Sequence, residues 1–401
     1  MDGLDPVPSS PLAETPAADL PLAGVVVVEE SPARSVRFAG RLLADYGAMV
    51  IRLEGGAGAG DPDDLTGAAA AYLDAGKLSV ALDQANAAAR RIIEKLEARA
   101  GVILRFVDPA DVAVAARAPT GSEVTVEISW FGRNGPWAGY LCDDFLAQHA
   151  SGMAFTSALR VEDIATSGPR AVPGHLAEMV AGLAAATAAT VALTGREAGL
   201  PAGRVDISVA ESIVSFMRYE TVIYSYGWGL PSRSRLARSP VAAPVFQQAT
   251  ADGFVDMLVM QEAPWRALLE VLGSPDWADN ELFATHPLRS QYWDALEPLL
   301  QEELRKMKTA TLYAEGQRRG VAIAPVNNLA EAASAQQFAE RGFFTRVASA
   351  SGELPAPGRP FRLGETAGVL AAPLPGEHNG RVLRDWLGCP AGELREAGVA
   401  L

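Results

Sequence analysis

The stretch from Leu22 to Glu54 constrains the fold more than any other part of the chain. "LAGVVVVEE" is a continuous β-branched run, "ARSVRFAGRLLADYGA" places Val36, Leu42, Leu43 and Tyr46 at helical spacing, and "MVIRLE" returns to strand character. This is a β-α-β unit, and strands joined by a crossover helix run parallel. The rhythm then repeats. "KLSVALD" reads as a strand, "QANAAARRIIEKLEARA" as a helix, "GVILRFVD" as a strand, and "EVTVEISWF" adds another. Parallel strands alternating with helices make a layered α/β domain, so residues 21–225 are predicted to form a large Rossmann-like domain.

Beyond it the composition changes. "LPSRSRLARSPVAAPV" is rich in Pro, Ser and Arg and predicts a linker over residues 226–245. "ADGFVDMLVM" gives a turn and a strand, and "PWRALLEVLG" and "LRSQYWDALEPLLQEELRKM" read as amphipathic helices, so a smaller α/β domain is expected over residues 246–345. From "GELPAPGRPFRL" onward the chain is Pro- and Gly-rich until the short helix "RVLRDWLG". Residues 346–401 are therefore read as a linker and helix returning to the large domain. The first twenty residues are acidic and Pro-rich, lack the basic start and apolar centre of a secretory signal, and are expected to be a disordered tail.

Charge and cysteine usage narrow the function. A net charge of −14 argues against a nucleic-acid partner, which needs a surplus of Lys and Arg on one face. Two cysteines, Cys142 and Cys389, stand far apart and form no CxxC motif, which fits a reducing cytoplasm. The Ala-rich run from Met179 to Leu193 falls short of the ~20 apolar residues of a membrane span. A buried helix is expected there, and no membrane partner.

A nicotinamide site on such a fold needs G-x-G-x-x-G after the first strand, where this chain has "EESPARS". The glycines of "EGGAGAGDPDD" follow the second strand and open no helix, so they read as a loop. No Walker A sequence and no G-x-S-x-G elbow occurs. His149, His175, His286 and His378 lack metal spacing, so no metal is expected. Carboxylates remain. In "GHLAEMVAGLAAATAATVALTGR" one acidic residue, Glu178, heads a stretch built almost wholly of small and apolar residues. Pro173 and Gly174 break the preceding chain, so Glu178 falls in the first turn of a helix, where unpaired N–H groups favour an anion. Two roles predict this same local structure. Glu178 is either a helix-start residue or an ionised nucleophile for a reactive acyl group.

Taken together, "RLLADYGAMVIRLE", "AGKLSVALD", "WFGRNGPWAGYLCDDFLAQHASG", "AGRVDISVAES", "TADGFVDMLV", "GVAIAPVNNLAEA", "RGFF", "PGRPFRL" and "LPGEHNGRVL" form an ordered series from about Leu20 to the C-terminus. The series resembles the family III coenzyme A transferases of the CaiB/BaiF type, a group that includes formyl-CoA transferase, carnitine CoA-transferase and α-methylacyl-CoA racemase. The resemblance implies an interlocked dimer in which each chain has a Rossmann-like domain, a small domain and long linkers. It implies acyl-CoA and a small carboxylic acid as substrates. It also implies a carboxylate, normally Asp, ahead of a Gly- and Ala-rich helix that ends in Arg. Glu178 occupies that place without a gap. Its implied role is to attack the acyl-CoA carbonyl, pass through a mixed anhydride and become a glutamyl-CoA thioester, from which the acceptor acid takes the CoA.

The chain departs from the family pattern in several places. Glu replaces Asp, and basic residues usual in the family are replaced after Glu54 and after Asp83. Arg34, Arg37, Arg41, Lys77 and Arg105 remain as candidates to bind CoA phosphates, with Arg52 and Arg133 nearby; Arg34 and Arg37 lie at a strand-to-helix turn, where an anion also meets helix N–H groups. The His-Asp pair of the racemases appears here as Asp143-Asp144, which removes a proton-transfer base and weakens a racemase or isomerase reading. The departures leave a second outcome open: a catalytically degenerate subunit that supports an active homologue in a heteromer.

Overall fold

The structure is a computed structural model that describes residues 19–55, 67–112, 123–157, 166–201, 203–227, 245–349, 352–363 and 370–399. The tail expected over residues 1–20 lies outside these but for its last two, as do most of the glycine-rich loop after Glu54 and most of the linker expected over 226–245. The chain divides into two compact units. The larger comprises residues 1–158, 169–231 and 343–401, and the smaller comprises 159–168 and 232–342.

The larger unit is α/β with a parallel sheet and helices, as the β-α-β rhythm requires. Its first half runs β1 (Val26–Glu29), α1 (Arg34–Asp45), β2 (Met49–Glu54), α2 (Ala68–Asp74), β3 (Leu78–Ala81), α3 (Ala87–Glu97), β4 (Val102–Phe106) and β5 (Val124–Ser129). There follow α4 (Asp144–Ala150), α5 (Met153–Thr156), α6 (Leu176–Glu197), β6 (Arg204–Ser208), α7 (Val209–Phe216) and α8 (Arg218–Ser225). The six strands pair in parallel in the order β3-β2-β1-β4-β5-β6. That order reverses between β1 and β4, and in such sheets ligands bind at the carboxyl ends of the strands beside the reversal.

Residues that alternate along the strands feed two cores. Val27, Val50, Val126 and Ile128 pack with α1, α6 and α7 on one face, whereas Val28, Ile51, Val80 and Ile103 pack with α3 and the C-terminal segment on the other. Covering on both faces is why these strands read as continuous apolar runs. Fully burying a side chain such as Ile51 or Ile103 stabilises the fold by about 1.5–3 kcal/mol.

Helix α6 extends past the run Met179–Leu193 and is, by length and composition alone, long and apolar enough to cross a membrane; half of its most apolar window is buried. Ala177, Ala181, Ala185 and Ala189 recur every fourth residue and are fully buried. This smooth row lets α6 lie close to α1. A Cβ on Gly182 would stand 2.6 Å from the carbonyl oxygen of Ser35.

The smaller unit contains β7 (Val245–Ala249), β8 (Phe254–Leu258), α9 (Glu262–Val271), α10 (His286–Gln291), α11 (Trp293–Leu304), α12 (Thr309–Arg318), β9 (Ala322–Pro325), α13 (Leu329–Ser334) and α14 (Gln336–Glu340). Its sheet β7-β8-β9 is antiparallel, and Met257, Trp265, Leu268, Leu296, Leu300 and Ile323 belong to its own core.

Residues 343–399 belong again to the larger unit. There β10 (Phe344–Ser349), β11 (Gly352–Pro357) and β12 (Leu370–Ala371) make a small sheet, Gly380–Trp386 winds as a π-helix, and α15 (Ala391–Glu396) packs near α3. The backbone N–H groups of Ser79 and Ala81 on the edge strand β3 donate to His378 Nδ1 (3.2 Å) and Asn379 Oδ1 (2.9 Å). The returning segment thereby caps an edge that would otherwise invite a foreign strand.

Candidate active site

Helix α6 begins at a sharp corner. Gly174 has φ +90°, and His175 follows in the left-handed conformation at φ 56°, ψ 42°, so that the chain turns directly into Leu176. Glu178 sits in the first turn and is 4% exposed. Its N–H donates to Asp144 Oδ1 at 2.9 Å. Asp144 opens α4, and its other oxygen accepts from Gln148 Nε2 at 2.7 Å. Gln148 also accepts the Val172 N–H (2.8 Å) and donates to the Val172 carbonyl (2.9 Å). The loop leading into α6 is thus tied to α4 on both sides.

Two basic side chains approach Glu178 Oε2: Arg34 Nη1 at 3.4 Å and His175 Nδ1 at 3.6 Å. Arg34 is the first residue of α1, just past the carboxyl end of β1. The carboxylate therefore faces a guanidinium and the N-terminal end of its own helix, both of which favour negative charge. It lies against a cavity of about 1050 Å³ walled by Phe106, Trp130, Phe145 and the loop 169–175, with Asp108 and Asp143 on its lining. The cavity opens at the carboxyl ends of β1, β4 and β5, where this strand order calls for a ligand.

Cys142 also lines the cavity, but burial pushes its thiol up to about 11, so it is not a thiolate at neutral pH. Asp144, His175 and Glu178 bring three donor atoms within 4.8 Å of one another, a spacing a cation accepts, and Arg34 sets positive charge 3.4 Å from Glu178 Oε2.

Of the residues expected to meet CoA, the structure brings only Arg34 to Glu178. Arg105 lines a second cavity of about 560 Å³ at the ends of β2, β3 and β4, where its Nε lies 3.2 Å from Glu30 Oε2 and the acids Glu94 and Glu97 are close by. Arg37, Arg41 and Lys77, also expected to meet CoA, are buried inside the fold against its own acids. Arg37 holds Asp74 through two nitrogens, with Nε to Oδ1 at 3.0 Å. Arg41 pairs with Asp45 at 3.1 Å and donates to the carbonyls of Tyr72 and Ala75. Lys77 Nζ reaches Glu29 Oε1 at 2.6 Å with both side chains fully buried. Burial pulls Lys77 down and raises Glu29, each partly offset by the other's charge. A Cβ on residue 40 would collide with Glu29 Oε1, which is why Gly40 stands there. Arg52 reaches Asp74 and Glu54, and Arg133 approaches Glu127.

His175 lies far in sequence from Asp144 and Gln148, and no spacing joins the three; the Pro-Gly break before His175 is the one local signal that it heads the helix.

Comparison with known proteins bears on the family and the fold. The model of CoA-transferase family III matches residues 22–379. Succinate–glutarate CoA-transferase of Agrobacterium fabrum is 25% identical over 396 residues, which cover 93% of this chain and 98% of the relative. Acetyl-CoA:oxalate CoA-transferase of Acetobacter aceti is 26% identical, with 86% and 89% covered. The alpha subunit of succinyl-CoA–L-malate CoA-transferase from Chloroflexus aurantiacus is 24% identical, with 97% and 94% covered. Among solved structures, a CaiB/BaiF family protein from Brucella suis superposes with a TM-score of 0.79 at 22% identity, covering 92% of this chain and all of that one. At that identity the likeness speaks for the fold.

Proposed function

This chain belongs to CoA-transferase family III, and from that premise we propose that it transfers coenzyme A between an acyl-CoA donor and a carboxylic acid acceptor, with Glu178 as the nucleophile. One observation carries the assignment of the residue. The Glu178 carboxylate meets the large cavity at the carboxyl end of the parallel sheet, with a guanidinium at 3.4 Å.

In the proposed reaction a Glu178 oxygen attacks the thioester carbonyl, the C–S bond breaks, and CoA leaves as the thiolate. The thiolate then attacks the glutamyl carbonyl of the mixed anhydride, releases the donor acid and leaves Glu178 as a CoA thioester. The acceptor carboxylate attacks that thioester and expels the thiolate once more. The thiolate finally takes the acceptor acyl group from the second anhydride and frees Glu178. Every step is an acyl transfer at a carbonyl and uses neither metal nor redox cofactor. Small carboxylic acids named for the relatives, among them succinate, oxalate and malate, set the acceptor class to test first. We place the reaction in the cytoplasm, in an interlocked dimer.

The test is to incubate the protein with several acyl-CoA donors, trap with hydroxylamine and read the modified peptide by mass spectrometry. A hydroxamate on Glu178 is expected, and Glu178→Gln should lose both the adduct and turnover by at least about 10³-fold, as removal of a covalent nucleophile does. Transfer that survives in the Gln variant would move the chemistry elsewhere.

A second reading has its own support. Arg37, Arg41 and Lys77 are spent on internal acids, and the C. aurantiacus relative is named as an alpha subunit. On this reading the chain is a structural partner of an active homologue. Co-purification of such a homologue, together with no CoA binding by the isolated chain in calorimetry, would decide for it.

A further inference from the structure

A glutamate carries one more methylene than an aspartate, so its carboxylate has one more torsion to fix before it is aimed. The surroundings of Glu178 address that torsion. Its backbone is anchored by Asp144, while Arg34 and His175 approach the same carboxylate oxygen, Oε2, from two different elements.

His175 does so from a costly conformation. Only His175 and Ser274 among the described non-glycine residues have positive φ. Such strain persists where the surroundings over-determine it, and it gathers at functional sites. Packing does not account for it here, because the imidazole is 51% exposed. Glycine would take the conformation with least strain, as Gly174 does next door. What a glycine lacks is the ring that stands 3.6 Å from Glu178. Both the Arg34 and His175 separations sit just beyond a good hydrogen bond, a range from which catalytic contacts tighten in a Michaelis complex.

We propose that His175 is a positioning residue that, with Arg34, fixes Oε2 of Glu178 so that the carboxylate is already aimed when a thioester arrives. The inference rests on the transferase reading. With a proton on Nδ1 the ring donates to Oε2; Arg34 holds the same oxygen from α1, and the two together limit rotation about the extra methylene.

The test compares His175→Ala, His175→Gly and His175→Asn with the unaltered full chain. Ala and Gly are expected to lower kcat by about 10-fold or more while KM for acyl-CoA moves less than about two-fold, the pattern of a misaimed group rather than a lost binding contact. Asn accepts the left-handed conformation and keeps an N–H donor, so it should recover kcat to within about three-fold of the original. The Gly variant should melt at a higher temperature than the unaltered protein and still be slow, a combination that a merely structural role does not produce. Crystal structures form a second, independent arm. Glu178 is expected in one rotamer in the unaltered and Asn proteins and in several in the Ala variant. Unaltered kcat in Ala and Gly, or an Asn variant no faster than Ala, would overturn the proposal. Should the unaltered protein transfer CoA from no donor, the transferase reading fails. The crystallographic arm then decides alone, and an unmoved Glu178 in the Ala variant overturns the clamp.

Discussion

Asp74 shows what single residues contribute here. Burial alone would raise its carboxyl, but Lys77, Arg37 and Arg52 outweigh burial and hold it below the ordinary carboxylate value of 3.8. A carboxyl whose folded value lies below its unfolded one stabilises the fold above the unfolded value, and that stability is lost as pH falls through the folded one. Urea denaturation should therefore show stability declining from about pH 4 downward, and Asp74→Asn should flatten that decline. At neutral pH the same substitution should cost about 3–5 kcal/mol, because it leaves buried cations without their partner. The same cluster explains a limit of the sequence. Arg37 and Arg41 lie in α1 and Lys77 just ahead of β3, and on paper a cation there looks alike whether it faces a phosphate or an acid. The acids that claim Arg37 and Lys77, Asp74 and Glu29, come from separate elements, and only the folded chain brings them together. The place of Glu178 in the first turn of α6 was legible because a Pro-Gly break followed by a small-residue helix is a local signal.

Among elements, the contact between α1 and α6 matters most, since Arg34 begins one and Glu178 lies in the first turn of the other. Gly182→Ala would ordinarily favour a helix by about 1 kcal/mol. Here the added carbon meets the Ser35 carbonyl oxygen at 2.6 Å, so the helices must part. The variant should lose about 1–3 kcal/mol instead, and its turnover should fall with its melting temperature as Arg34 moves from Glu178. Calorimetry and a transfer assay on the same preparation check both. Periodicity made the strands and helices of the large unit readable, and the crossover made the parallel sheet readable too. β11 was harder: "GELPAPGRPFRL" looks like a linker, yet Gly352–Pro357 pairs with β10. β11 is an edge strand, and an edge tolerates prolines that a central strand excludes.

At the scale of the whole molecule, each unit has its own apolar core, and the larger is assembled from separate stretches of chain. Thermal unfolding should resolve into two components rather than one two-state transition. Leu383, fully buried in the core of α3 and the sheet, offers a selective probe. Leu383→Ala should cost about 2–5 kcal/mol, lowering the component of the larger unit and leaving that of the smaller unchanged in differential scanning calorimetry. A linker and helix returning to the large domain were expected over residues 346–401, and residues 343–401 belong to the larger unit.

The capping of β3 by His378 and Asn379 also sets an order of events on the ribosome. Strand β3 emerges early, but the side chains that quench its outer edge, and the Val382 and Leu383 that close the apolar layer beneath it, are made only after the smaller unit has been translated. Through that interval the nascent chain carries a bare β edge beside an unfinished core, and this is the stage at which a chaperone has most to protect.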